Sequence, residues 1–256
     1  MSSNKGIQAR HHVLMAIAAI FAAALAYGIQ YSSIATALWA GGAILLLSCG
    51  VTFSSVGQRW SPFLLPLLGM AMVAVLIQAA MGRTETHFAA FAFLAVLLIF
   101  RDWRSIVIAA AVVALHHVGF GWLQALQWGP ICFSGEPTAA RVVEHALYVV
   151  IQSVLLVLMA LRLATEQRTF NELESMVDRM GGTSGRVNFG NLPVPTTPHA
   201  HQLHQVLVHV ARTLEVVKDT AQSIETASAE VATGNQDLSS RTEQTASNLQ
   251  ETAASM

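Results

Sequence analysis

Charge is what this sequence has least of. Only 11% of its 256 residues are Asp, Glu, Lys or Arg, and none of them lies between Arg10 and Arg59. A soluble domain of this size carries about a quarter charged residues, so the front of the chain is excluded from the ordinary water-soluble class and points to lipid as its solvent. Cysteine is scarce too. Cys49 lies within an apolar run and Cys132 in a connecting stretch on the opposite side, which argues against a disulfide between them. A formal charge of −1 gives no basic surface for nucleic acid. Beyond about residue 165 charges become frequent and mostly acidic, which divides the chain into a membrane half and a water-facing half.

What the front half does have is long apolar runs. A helix crossing ~30 Å of hydrocarbon needs ~20 apolar residues, and about six segments qualify if a short one is allowed: 12–29, 34–54, 63–81, 87–100, 105–123 and 142–163. The first contains Ala24-Leu25-Ala26, which resembles a cleavage site, but the runs that follow favour a retained anchor. Lys5, Arg10, Arg59, Arg101, Arg104, Arg162 and Arg168 fall on one side of such a bundle and only Arg83 and Arg141 on the other. By the positive-inside rule both termini are expected in the cytoplasm. Trp39, Trp60, Trp103, Trp122 and Trp128 fall near span ends, where an aromatic belt accounts for them, and His11 and His12 read as interfacial.

The tail has a different rhythm. Leu203, Leu207, Val210, Leu214, Val217, Ala221, Ile224, Ser228, Val231, Asn235, Leu238, Thr242, Thr245, Leu249, Thr252 and Met256 recur at spacings of four and three, an unbroken heptad seam. Pattern alone fits a structural stalk as well as a signalling rod. The segment from Gly234-Asn235-Gln236-Asp237-Leu238-Ser239-Ser240-Arg241 through Glu243-Gln244-Thr245 to Asn248-Leu249-Gln250-Glu251-Thr252 and Met256 resembles the first methylation helix of methyl-accepting chemotaxis proteins. The resemblance implies that Gln244 and Glu251 are adaptation sites, methylated as glutamate, with glutamine first deamidated. It also implies a homodimer or higher receptor assembly, an adaptation methyltransferase and a methylesterase/deamidase as partners. A coupling protein and histidine kinase enter only with the hairpin tip that the family carries beyond this point; the sequence stops at Met256, and the expectation is a receptor front truncated within that helix.

Between membrane and coil, Leu163, Phe170, Leu173, Val177 and Met180 form a further stripe that ends at Gly181-Gly182. A connector with Val187, Phe189, Leu192, Pro193, Pro195 and Pro198 follows. Helix, anchored connector and helix resemble a HAMP converter; the prolines depart from that pattern, and a simple hinge is the alternative. The fold class expected is therefore an all-α membrane protein: about six transmembrane helices, a HAMP-like converter and a long parallel coiled coil. The expected division is 1–11 as a cytoplasmic tail, 12–163 as the sensory module, 164–217 as converter and linker and 218–256 as the start of the signalling coil.

Ionisable residues inside a bilayer are functional candidates because burying them unpartnered is costly. His87, His116, His117 and His145 come from three spans at a similar depth near the outer face. Imidazoles so placed fit a transition metal, copper or zinc, or haem b; interhelical hydrogen bonding is the competing explanation. His117 and His145 are the first candidates as ligands, with His87 next. Adjacent His116 and His117 point ~100° apart on a helix, so both do not readily serve one centre. Glu144 and Gln124 are candidate supporting partners. His199, His201, His204 and His209 read as solvated residues at the start of the coil, with cytoplasmic metal binding as the alternative. The histidines are too few and on the wrong side for a membrane desaturase, and the spans lack the midplane charges of a transporter. No catalytic constellation stands out. The expected function is chemotaxis transduction from the bacterial inner membrane, with the stimulus sensed in or at the bilayer. Lipophilic ligands or the energetic state of the membrane are the alternative stimuli, and a non-signalling fragment the third reading.

Overall fold

A computed structural model of the chain describes residues 2–136, 138–181, 187–190 and 192–256. It is 86% helical, with no strand among the described residues. Seven helices organise them: α1 Ser2–Gln30, α2 Ile34–Phe53, α3 Ser55–Ala79, α4 Thr84–Phe100, α5 Trp103–Ala125, α6 Ala139–Met180 and α7 Pro198–Ser255. Five of them, α1, α2, α3, α5 and α6, are long and apolar enough to cross a membrane. The remaining apolar helix, α4, has 17 residues and reaches about 25 Å at 1.5 Å per residue.

Most boundaries fall where local chemistry puts them. Ser54 is extended and its Oγ accepts from Gly57 N at 3.2 Å, ending α2 and capping α3. Arg101, at φ 54°, closes α4, and Asp102 Oδ1 accepts from Arg104 N at 3.0 Å to start α5. Two helices run across expected domain divisions. α1 reaches back to Ser2 through the stretch expected as a tail, because only Gly6 opposes helix there, at about 1 kcal/mol. α7 passes 217 and 218 without a break, since Pro198 at its first turn is its only proline and Gly234 its only glycine.

The chain forms two compact units, Met1–Gln167 and Arg168–Met256. In the first, α3 is central and packs against α1, α2, α4 and α5. Of its apolar window 56% is buried, against 11% for α6, so α6 keeps most of its apolar surface outward. The core joins Val13 and Ile17 of α1 to Leu65, Met72 and Ile77 of α3, Phe93 of α4, Ile106 of α5 and Leu156 and Ala160 of α6. Lipid is as apolar as these side chains, so close packing rather than expulsion of water holds such helices together. Gly69 shows how close: a Cβ there would stand 1.9 Å from the Phe93 ring.

Pro62 and Pro66 sit inside α3. Pro66 has no N–H to give the Pro62 carbonyl, and an unsatisfied carbonyl in hydrocarbon costs several kcal/mol. Ser105 on α5 repairs this: its Oγ donates to Pro62 O at 2.7 Å from a fully buried position. At the opposite end of the bundle the connections gather. Ser33 Oγ donates to Ala79 O at 2.8 Å, Arg83 Nη1 to Tyr31 OH at 2.7 Å, and Ile131 N to Gln78 Oε1 at 2.7 Å.

In the second unit the end of α6 and the start of α7 are tied by one carboxylate. Glu172 Oε1 accepts from Thr196 N at 3.1 Å and from Thr196 Oγ1, while Oε2 accepts from Thr197 N at 3.0 Å and Thr197 Oγ1 at 2.7 Å. Gly181 pairs with Val187 in an isolated bridge; Gly182, expected at the end of the stripe, lies outside the described residues. On α7 the seam residues Leu214, Val217, Ile224, Val231, Leu238 and Leu249 are exposed along the helix.

Replacing Ser105 by Ala leaves the Pro62 carbonyl without its donor. The expected loss is about 1–3 kcal/mol, read as a lower midpoint in detergent unfolding, while Ser105→Thr, which keeps the hydroxyl, retains most of the stability.

Candidate metal centre

Where the connections gather, α4, α5 and α6 each bring a histidine. Each is set by its own helix. His87 Nδ1 donates to Arg83 O at 3.0 Å, His117 Nδ1 to Val113 O at 2.9 Å and His145 Nδ1 to Arg141 O at 3.0 Å. A carbonyl only accepts, so Nδ1 carries the proton and the lone pair of each neutral ring lies on Nε2. His11 and His12 make the same four-residue bond, so the bond is a general habit of helical histidine. What sets His87, His117 and His145 apart is that their rings meet: His87 lies 5.2 Å from His117 and 5.5 Å from His145, and His117 lies 6.0 Å from His145.

The fourth donor comes from a residue that the sequence reading did not select. Cys132, fully buried in the connection between α5 and α6, has its sulfur beside these rings. His87, His117 and Cys132 form a group, all three buried, whose ligand atoms lie within 4.8 Å of one another and which could hold a metal ion. The donors fit such an ion on a second count. His87 Nε2 is buried and finds no hydrogen-bond partner of ordinary geometry among the described residues, although the Cys132 backbone lies nearby. Burial pushes the Cys132 thiol up to about 12, so a metal would have to displace its proton. The signal for Cys132 in the sequence was its place in the stretch after 105–123, expected on the same side as the histidines.

Gln124 holds that cysteine in place. Its Nε2 donates to Phe133 O at 2.8 Å and Gly135 O at 3.1 Å, and its Oε1 accepts from Cys132 N at 2.8 Å and Phe133 N at 3.0 Å. One side chain thus satisfies four backbone groups of a loop that has no helix to satisfy them. Gly82 lets the loop come close. It has φ +72°, and a Cβ there would stand 2.5 Å from the Phe133 carbonyl carbon. Phe133 packs on all three rings, at 6.0 Å from His87, 5.6 Å from His117 and 5.5 Å from His145.

The other expected residues fall around this group. His116 is buried, with Nε2 3.5 Å from Cys132 Sγ and its ring 4.5 Å from Phe120, and its Nδ1 has no partner among the described residues. It touches the sulfur from outside the group. Gln124 supports the cysteine and touches no ligand imidazole in these bonds, while Glu144 is exposed on α6. Of the second histidine set, His199, His201 and His209 are exposed and His204 half-buried along α7. Gln244 and Glu251 are both exposed on that helix. No protein-family model, curated protein or solved structure matches the chain.

Gln124→Leu should loosen the Cys132 loop. Losing ~1.4 kcal/mol or more of hydrogen bonding raises its opening about tenfold or more. In a Cys49→Ser background this is expected as faster maleimide labelling of Cys132, with Gln124→Glu intermediate because it keeps one acceptor.

Proposed function

We propose that the chain is a membrane transducer of the chemoreceptor class that senses a transition metal ion, copper or zinc, near the outer face of the bilayer. The observation that carries the reading is the buried convergence of His87, His117 and Cys132, with the His145 ring beside them. Two imidazoles and a thiol close together, with a third imidazole beside them, supply the donor set of a four-coordinate zinc or copper(I) site. Of the two cofactor classes considered, the single ion fits better than haem: Phe133 packs against all three rings and occupies space that a macrocycle between them requires. When bound, the ion would supply a cationic centre that fixes donors from separate elements. The residues do the rest. The Arg83, Val113 and Arg141 carbonyls orient the imidazoles, Gln124 positions the sulfur, and the apolar walls keep water from competing.

In this reading α4 makes a sixth, short crossing and both termini lie in the cytoplasm, as the distribution of Lys and Arg favours. α6 links stimulus to output, since His145 stands near one of its ends and the helix continues to Met180. The connector and the exposed seam of α7 support a converter and a parallel coil of two or more chains. The resemblance of 234–256 to a methylation helix makes Gln244 and Glu251 the adaptation sites and the adaptation enzymes the partners. Their seven-residue spacing puts both on one face, where removing carboxylate charge relieves repulsion between neighbouring helices.

A second reading rests on a different observation. An apolar groove of about 310 Å³ lies between α1, α3 and α4, lined by Ala16, Ala23, Leu76 and Phe93 among others, and suits a lipophilic stimulus.

Elemental analysis of protein purified in nanodiscs should find close to one zinc or copper per chain, lost in His117→Ala and Cys132→Ser. Wild type still metal-free after zinc and copper(I) loading sinks the metal reading and favours the groove. A Soret band restores haem. In a fusion carrying a complete signalling tip, the metal should change methylation at Glu251 by mass spectrometry; metal binding with unchanged methylation and kinase activity removes the transducer.

A further inference from the structure

Three of the four donors belong to the packed bundle and one does not. His87, His117 and Cys132 are buried, and their ligand atoms lie within 4.8 Å of one another; His145 is half-buried and stands outside that distance. It sits on α6, the least buried of the five long apolar helices. α6 grips the bundle further along, where Gln152 Nε2 donates to Phe91 O at 3.1 Å and Leu156 and Ala160 enter the core. Beside His145, Val143, Leu147 and Tyr148 are all exposed. The His145 ring against His87, His117 and Phe133 is thus the principal contact by which this end of α6 meets the site.

A tetrahedral ion asks for more than such a three-donor group offers. Metal–nitrogen distances of about 2.0–2.1 Å and metal–sulfur distances of about 2.3 Å place ligand atoms roughly 3.5 Å apart and call for a fourth ligand. His145 has its Nδ1 committed to Arg141 O, so its free lone pair is on Nε2. We infer that a bound ion draws His145 in as the fourth ligand and thereby docks the outer end of α6 onto the bundle, so that occupancy of the His87–His117–Cys132 group regulates the position of α6. This rests on the metal reading above and adds to it the moving part. The coupling is reciprocal: the factor by which the ion favours docked α6 is the factor by which docking tightens the ion.

The test uses the full chain in nanodiscs. Spin labels on genetically encoded ketone residues at Ile29 and Val143, both exposed, leave the cysteines untouched, and zinc is diamagnetic. Double electron–electron resonance should show zinc collecting the distances into one narrower, shorter population. His145→Ala should abolish that change and weaken zinc by about a hundredfold, towards the upper end of the usual coupling between sites, while His145→Cys, which restores a donor, should recover both. Zinc bound equally by wild type and His145→Ala, with the same distances in each, overturns the inference and leaves the metal reading standing, with a water as fourth ligand. Wild type that takes up no zinc, and no copper(I) when that diamagnetic ion is used instead, overturns the two together. Should His145→Ala fail to assemble, His145→Gln takes its place with the same two outcomes.

Discussion

A backbone carbonyl or N–H left unpaired in hydrocarbon costs several kcal/mol, and the first unit is built around that penalty. Long helices satisfy it automatically. The informative places are those where a helix cannot. Pro66 strips the Pro62 carbonyl of its partner inside α3, and a buried serine from α5 replaces it. The connection carrying Cys132 has no helical bonds of its own at 132–135, and Gln124 supplies four contacts from the end of α5. In both cases one polar side chain repairs an irregular backbone and, in doing so, fixes the spacing of two elements.

The same penalty concentrates chemistry at one end of the bundle. Irregular backbone gathers there in the connections at 31–33, 80–83 and 126–136, where Ala80, Gly82, Cys132 and Phe133 are buried. They are cross-tied through Ser33, Arg83 and Ile131 and sit where α4 and α6 begin and α5 ends. Histidines on the first turn of α4, the last turns of α5 and the second turn of α6 therefore meet without any helix being bent towards them. Small residues make the last ångströms possible. Gly82 admits the Phe133 backbone at a contact that a Cβ would block, and Phe133 in turn packs the three imidazoles from one side.

Helices and the level at which His87, His117 and His145 meet were legible in the sequence because both follow from one-dimensional pattern: runs of apolar residues, and the distance of each histidine from the nearest polar connection. The expected 34–54 and 105–123 correspond to α2 and α5 within a few residues. Cys132 was less legible. Its burial depends on Gln124 folding the connection back and on Gly82 receiving it, and neither contact leaves a periodic trace. The roles of His116 and His117 were separable in principle, since adjacent helical residues diverge by ~100°. The direction each faces was not, because it depends on how α5 is rotated against α3, which Ser105 and Pro62 decide. Helix propensity runs through 1–11 and through 217 without interruption, so the domain divisions expected there leave no mark on the backbone.

The unequal burial of α3 and α6 fits a sensor better than uniform packing would. A helix buried like α3 is locked by its neighbours, and no small ligand moves it. A helix like α6, with a buried strip limited to Leu156, Ala160 and their surroundings, has an outer end whose position a few contacts decide. Driving a two-state element from 1:99 to 99:1 takes about 5.5 kcal/mol of differential affinity. A structural zinc site releases ~10–16 kcal/mol in all, so one ligand out of four supplies a large part of what such a shift demands. A hydrogen bond between imidazoles, at about 1 kcal/mol, does not. In the proposed metal reading, coordination therefore outweighs mere packing as the way His87 and His117 would act on α6, with the sensitivity in His145, the least buried of the ligands.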